Sequence, residues 1–154
     1  MYSCILVPLD GSKLAEKALA HAEGLAKSSG ASVHLLMSMS RHYSGETPIG
    51  GGLESDQSVA RTAELGRQLE EAEIQTAQQY LDHTATSLKN LGLETIVELT
   101  TGPAHEHVID YAKQHGVDLI VMSTHGHGGL KRMLLGSTTD RVIRSGEVPV
   151  LVVP

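Results

Sequence analysis

The sequence predicts a single α/β domain built on a doubly wound, five-stranded parallel sheet of Rossmann-like type. Short apolar runs have the pattern of strands that are covered on both faces, and segments with helical spacing of apolar residues separate them. Strands that alternate with helices require right-handed crossovers, which place helices on both faces of a parallel sheet. A chain of 154 residues suits one domain, so we assign 1–154 to it.

The first strand and helix have clear boundaries in the sequence. An unbroken apolar run predicts the first strand over 4–9. Alanine and leucine then recur at helical spacing, with Ser12 in the position of an N-cap and Gly30 as the C-terminal stop. A second apolar run predicts a strand over 32–38.

A segment rich in glycine and proline follows the second strand. Residues 41–58 contain few periodic apolar positions, so we expect a flexible loop there. Apolar residues at helical spacing from Leu69 to Leu91 predict a long amphipathic helix that ends at Gly92. A third strand is predicted over 93–99.

The remaining elements repeat the same strand and helix alternation. A helix is predicted over 104–115 and is stopped by Gly116, and a strand is predicted over 118–122. Gly136 opens the last predicted helix, and a final apolar strand covers 148–153. The five strands and intervening helices therefore account for the predicted fold class.

Composition excludes several classes of protein. Twelve basic and 18 acidic residues give a net charge of −6, and no cluster of Lys and Arg has the extent of a nucleic-acid surface. No apolar run approaches the ~18 residues of a membrane-spanning helix, and the N-terminal residues do not resemble a signal peptide. We therefore expect a cytoplasmic protein, with Cys4 as a buried, inert thiol.

A glycine-containing stretch after the fourth predicted strand indicates an anion site. Gly126 is followed, after nine intervening residues, by Gly136 and Ser137 at a predicted helix start. A helix N-terminus leaves about four backbone N–H groups without intrahelical partners, and it carries partial positive charge. Glycines let the backbone approach a ligand closely. This stretch therefore predicts a phosphate-binding site, to which the hydroxyls of Thr138 and Thr139 add donors.

The motif from Ser123 through Gly126 to Gly136 and Ser137, with the strands on either side, resembles the ATP-binding branch of the universal stress protein family. The resemblance covers essentially the whole chain and begins with the sequence from Val7 to Ser12. It implies the strand order 3-2-1-4-5, with a crevice between the first and fourth strands, and a bound ATP with Mg²⁺. The family most often has Gly at the position of Ser123.

The resemblance also implies roles for individual residues. Pro8 and Asp10 would line the adenosine end, Ser38 would lie where adenine packs, and Met122 and Ser123 would complete that wall. The residues expected to bind ribose and phosphates are Gly126, Gly136, Ser137, Thr138 and Thr139. The alternative for Asp10 is a cap on the helix that follows it.

Three functions fit the resemblance. The leading one is a homodimeric, ATP-binding sensor or regulator of the stress response, which acts on an unidentified protein partner. As in similar proteins of the family, it would dimerise through strand 148–153, whose apolar edge would otherwise be unpaired. The second is a nucleotide-independent, stress-induced interaction module in which Ser123 marks a degraded site. The third is a slow ATP hydrolase, although no residue can be assigned as a catalytic base.

Nine histidines raise the question of a metal site. His105 and His107, like His125 and His127, are two residues apart, and helical residues at that spacing point to different faces. We therefore expect no dedicated metal site. Neither the P-loop pattern nor an intact dinucleotide-binding glycine motif is present, which argues against a motor-type NTPase and a dehydrogenase.

Overall fold

Five parallel strands and four helices alternate along the part of the chain that the structure describes. The computed structural model describes residues 1–40, 56–124 and 135–154, without the side chains of 56–58. The strands are β1 (Cys4–Leu9), β2 (Ser32–Met39), β3 (Thr95–Thr101), β4 (Leu119–Ser123) and β5 (Val150–Val153). The helices are α1 (Lys13–Ser29), α2 (Asp56–Asn90), α3 (Ala104–Gln114) and α4 (Ser137–Ser145).

The strand order is β3-β2-β1-β4-β5, and every pair of neighbours is parallel. This confirms the predicted fold class and strand order. The order reverses between β1 and β4, because the chain crosses from one side of β1 to the other. In open α/β sheets, ligands bind outside the carboxyl ends of the strands at such a switch point.

Each face of the sheet has its own apolar core. On one face, alternate strand residues such as Val7 and Leu35 pack with residues of α1 and α2. On the other face, Leu6 and Leu36 pack with residues of α3 and α4. Small side chains let α1 lie close to the sheet, and its buried residues are all alanine: Ala15, Ala18, Ala22 and Ala26.

The ends of α1 confirm the boundaries read from the sequence. Ser12 is the N-cap, and its hydroxyl oxygen accepts a hydrogen bond from the backbone N–H of Ala15 at 3.1 Å. Gly30 follows the helix with φ of 75°, and its N–H donates to the carbonyl of Ala26. A glycine adopts this left-handed conformation without strain.

Helix α2 begins earlier than its apolar periodicity indicated. It starts at Asp56, so residues 56–58 of the predicted loop are helical, while 41–55 lie outside the described residues. The first turns of this helix carry no stripe of buried apolar residues over 59–65. Residues with high helix propensity favour the helix here, as do the ion pairs of Arg67 with Glu64 and Glu71. Among the described residues, no helix is both long and apolar enough to cross a membrane.

Two strands begin two residues later than predicted. β3 starts at Thr95, and β5 starts at Val150 because Pro149 has no N–H to contribute to the ladder. The carbonyl of Pro149 accepts a hydrogen bond from the N–H of Ile120 in β4, and the carbonyl of Val153 accepts one from the N–H of Thr124, the residue after β4. Since backbone groups alternate in direction along a strand, those of Val150 and Val152 point away from β4, toward the outer edge of the sheet.

Candidate functional site

The two strands at the switch point separate toward their carboxyl ends. β1 pairs with β2 along its whole length, but its pairing with β4 is limited to Ile5 with Leu119 and Leu6 with Ile120. Pro8 lies two residues further along β1 and has no N–H with which to extend a ladder. A crevice therefore opens between the ends of β1 and β4.

The predicted wall of the adenosine site lies at this end of the sheet. Pro8, Ser38 and Met122 face the same side, because side chains alternate along strands and Leu6 and Leu36 face α3 and α4. Pro8 is half-buried, while Met122 and Ser123 are buried. The structure thus places at one end of the sheet four residues that come from three different strands of the chain: Pro8, Ser38, Met122 and Ser123.

Asp10 shapes the turn that leaves β1. Its Oδ1 accepts a hydrogen bond from the backbone N–H of Ser12 at 2.9 Å, while Ser12 itself is the N-cap of α1. Asp10 therefore supports the helix start without occupying the cap position. Burial, together with the negative charges of Glu16 and Asp10, raises the pKa of Tyr80 to about 12.

The start of α4 is held against the end of β4 by two hydrogen bonds. The backbone N–H of Gly136 donates to the carbonyl of Thr124 at 2.7 Å. The hydroxyl of Thr139, which is buried, donates to the carbonyl of Ser123 at 2.9 Å. This bond uses the hydroxyl proton of Thr139 within the fold, so its expected contact with a nucleotide stays a prediction.

The first turn of α4 has no side-chain cap. Gly136 occupies the N-cap position with φ of −56° and ψ of 147°. A glycine brings no side-chain oxygen to the N–H groups of the first turn, which other N-cap residues satisfy. Ser137 is exposed and Thr138 is half-buried in that turn. The arrangement can therefore offer backbone donors and two hydroxyls to an anion.

One predicted phosphate ligand, Gly126, lies outside the described residues, as do His125 and His127. The other predicted site residues all lie at the carboxyl ends of β1, β2 and β4 or in the first turn of α4: Pro8, Asp10, Ser38, Met122, Ser123, Gly136, Ser137, Thr138 and Thr139. Within the described residues, no group of three His, Cys, Asp or Glu side chains is placed to hold a metal ion.

Gly102 is a site-supporting residue that the sequence reasoning did not single out. Its carbonyl accepts a hydrogen bond from the Ser38 hydroxyl at 2.7 Å, and its N–H donates to the Met39 carbonyl at 2.8 Å. Its φ is 136°, and a Cβ here would lie 2.8 Å from Nε2 of His107. A glycine between a strand and a proline was the available signal.

We expect Gly102→Ala to lower the free energy of unfolding by about 1–3 kcal/mol, because a side chain is strained at this φ and crowds the His107 ring. Denaturant unfolding followed by circular dichroism measures the change. Gly24→Ala is the matched control, because a Cβ there meets nothing within 4 Å and the helix interior favours alanine. Equal stability of wild type and Gly102→Ala would contradict the proposed constraint.

The whole chain, residues 1–154, matches the model of the Universal stress protein family. The chain belongs to the universal stress protein family. This confirms the resemblance on which the site residues were assigned. The matching region includes β1, the crevice and the start of α4.

Several relatives of this universal stress protein align over nearly its entire length. Universal stress protein MJ0577 of Methanocaldococcus jannaschii is 30% identical over 154 residues, which are 99% of this chain and 95% of the relative. MJ0531 of the same organism is 31% identical over 153 residues, which are 99% of this chain and 82% of the relative. The solved structure of MJ0577 aligns with a TM-score of 0.78 and 29% identity, covering 99% and 96% of the two chains.

Two further solved structures of the same fold contain adenine nucleotides. A universal stress protein in complex with cAMP aligns with a TM-score of 0.66 at 18% identity, covering 99% and 97% of the two chains. The Archaeoglobus fulgidus protein in complex with dAMP aligns with a TM-score of 0.62 at 20% identity, covering 99% and 98%. At these identities the likeness shows the shared fold.

Proposed function

We propose that this universal stress protein binds ATP with Mg²⁺ in the crevice between β1 and β4 and acts as a nucleotide-dependent regulator of the stress response. Filling of the site would change the surface that the protein offers to a regulatory partner. Residues 41–55, the part of the predicted loop that precedes α2, would be the responsive element. We place this activity in the cytoplasm.

The uncapped first turn of α4 is the observation that carries the proposal. Gly136 supplies no capping side chain, and the bonds from Gly136 and Thr139 fix this turn beside the end of β4. Backbone donors held in place need no reorganisation when a phosphate arrives, which favours binding. Phosphates would lie at this turn and at Gly126.

The other side of the crevice suits an adenosine. The half-buried Pro8 offers apolar surface beside the buried Met122, and the carboxylate of Asp10 is an acceptor for ribose hydroxyls. The adenine nucleotides bound in two solved structures of the same fold support an adenine nucleotide as the ligand. ATP, rather than a nucleoside monophosphate, is favoured by the two phosphate-binding elements that the motif provides.

Turnover of the bound nucleotide would be slow. Hydrolysis requires a base beside the terminal phosphate, and Asp10 belongs to the nucleoside end in this arrangement. Within residues 1–40, 56–124 and 135–154 we assign no other residue as that base. The protein would therefore hold ATP long enough for its occupancy to act as a signal.

We also propose that the regulator is a homodimer paired through β5. The backbone groups of Val150 and Val152 point away from β4, and both side chains are only half-buried. A two-fold axis beside β5 would pair these groups with the same groups of a second copy and cover the exposed apolar edge.

Acid release of small molecules from the freshly purified protein, with chromatographic identification, tests nucleotide binding directly. We expect ATP or ADP in the extract, and micromolar affinity for ATP with Mg²⁺ in a calorimetric titration. Asp10→Asn should weaken that affinity by about tenfold, because it removes a charge-assisted bond to ribose. Asparagine keeps an oxygen for the N–H of Ser12, so the turn after β1 is retained.

Asp110→Asn is the matched control, since Asp110 is an exposed residue of α3 remote from the turn after β1. Its affinity should equal that of the wild type. A protein that releases no nucleotide and shows no measurable affinity would overturn the proposal. That result would favour the nucleotide-independent interaction module of the same fold.

A further inference from the structure

A polar cluster lies inside the apolar layer between the sheet and α3, at the end of the sheet opposite the crevice. His34 of β2 is only 6% exposed, and its Nδ1 lies 2.9 Å from the hydroxyl oxygen of Tyr111 on α3. Its Nε2 lies 3.3 Å from the Ser32 hydroxyl oxygen. Both ring nitrogens therefore have hydrogen-bond partners, and this satisfies a neutral imidazole.

Tyr111 connects this histidine to the C-terminal end of α3. The ring of His115 stacks on the Tyr111 ring with centroids 3.9 Å apart and an interplanar angle of 16°. Nδ1 of His115 lies 3.1 Å from the Tyr111 carbonyl oxygen, and its backbone N–H donates to the same carbonyl at 3.0 Å. Tyr111 thus supplies a hydrogen-bonded link between the last turn of α3 and β2, beside the apolar contacts of that turn.

The surroundings of His34 favour its neutral form. Burial among Leu6, Leu36 and Val108 lowers the pKa of His34, and the His115 ring, whose centroid is 6.2 Å away, lowers it further when charged. Glu94, just before β3, acts in the opposite direction and raises the pKa. Burial has the larger effect, so a proton on His34 is disfavoured while the cluster is closed.

Other titratable groups also face this cluster. Cys4 of β1 lies in the same apolar layer, and burial raises the pKa of its thiol, so it stays uncharged near neutral pH. Burial and the charge of Glu98 on β3 raise the pKa of the Tyr111 hydroxyl. Asp118 accepts hydrogen bonds from the N–H and hydroxyl of Ser3, which keep it ionised. His34 is therefore the buried group of this cluster whose charge acid would change.

We propose that His34, Tyr111 and His115 form an acid-sensitive latch that holds the last turn of α3 on the sheet at neutral pH and releases it when His34 gains a proton. The released turn lets water reach the imidazolium. Protonation and local opening are therefore coupled, and they occur without nucleotide. This inference is independent of the proposed nucleotide site.

The direction of the pH dependence follows from the lowered pKa of His34. The unfolded chain takes up this proton near the ordinary value of 6.5, whereas the folded chain takes it up only at lower pH. The contribution of neutral His34 to stability is complete above about pH 6.5 and is lost as the pH falls toward the folded-state pKa. Acid therefore weakens the attachment of α3.

Nuclear magnetic resonance of the full-length protein between pH 8 and pH 5 tests the latch. We expect one histidine ring signal, identified by its loss in His34→Gln, to titrate with a midpoint below 6.5. The backbone amides of residues 109–117 should shift with the same midpoint. The melting temperature should fall by about 3–5 °C more in wild type than in His34→Gln, as for a tenfold change in the unfolding constant.

His83→Gln is the matched control, because His83 is an exposed residue of α2, and it should retain the pH dependence of the wild type. Tyr111→Phe keeps the ring stack but removes the hydroxyl, so it provides a second variant if His34→Gln does not fold. It should shift the midpoint of the His34 signal. The proposal would be overturned if the chemical shifts of the 109–117 amides in the wild-type protein did not change above pH 5. It would also be overturned if they changed with the midpoint of another histidine.

Discussion

Gly136→Val should lower the affinity for ATP by at least about 100-fold while leaving the protein folded. A φ of −56° suits an L-residue, so the backbone at this position accepts valine. The backbone N–H that donates to Thr124 is also retained. The side chain of an N-cap residue lies beside the N–H groups of the first turn, so valine would occupy the space proposed for a phosphate. Two charge-assisted bonds lost there correspond to about 3 kcal/mol.

Calorimetric titration with ATP and Mg²⁺ measures this loss, and circular dichroism confirms that the variant is folded. Gly24→Val is the matched control, because it introduces the same side chain on α1, where a Cβ meets nothing within 4 Å. It should bind ATP as the wild type does. Unchanged affinity in Gly136→Val would show that the start of α4 does not hold the phosphates.

Val152→Pro should convert the proposed dimer into a folded monomer. Proline removes the N–H of residue 152, which points to the outer edge of the sheet, and leaves the bonds of β5 to β4 intact. In a two-fold symmetric dimer the substitution removes this N–H from both copies, so two hydrogen bonds are lost. Each acceptor left unpaired costs about 1–3 kcal/mol. The dimer dissociation constant should therefore rise by at least about 100-fold, as measured by sedimentation equilibrium.

Val152→Ala separates the backbone from the side chain. It keeps the N–H and removes two methyl groups from a half-buried position, so it should weaken the dimer far less than proline does. A wild-type protein that sediments as a monomer would refute pairing through β5. A Val152→Pro variant that remains a dimer would place the interface elsewhere on the molecule.

The arrangement of strands and helices was readable because most elements carry a strong local pattern. Apolar runs in β1 and β4, and the serine and glycine at the ends of α1, reflect burial and capping that act over a few residues. The start of α2 was misplaced because residues 59–65 are exposed, so apolar periodicity carries no information there.

The candidate site was readable only in part, because its geometry depends on contacts between distant segments. The glycine spacing indicated the start of α4, and the confirmed strand order brings that turn to the end of β1. The bond from Ser38 to Gly102 joins residues 64 positions apart. The glycine before Pro103 indicates a turn at that point, but it does not indicate a contact with β2. Likewise, Thr139 has the sequence context of a phosphate donor, but burial directs its hydroxyl to the Ser123 carbonyl.

Because α1 packs on the sheet through four buried alanines, substitutions during evolution should be more restricted on that face of the sheet than on the other. Replacing Ala18, which is fully buried, by a larger residue would push the helix away and cost about 1–3 kcal/mol. On the opposite face, the tyrosine, histidine and valine side chains differ in size and can compensate for one another. Homologues should therefore keep small residues along the inner side of α1, while the layer under α3 exchanges its side chains over evolutionary time.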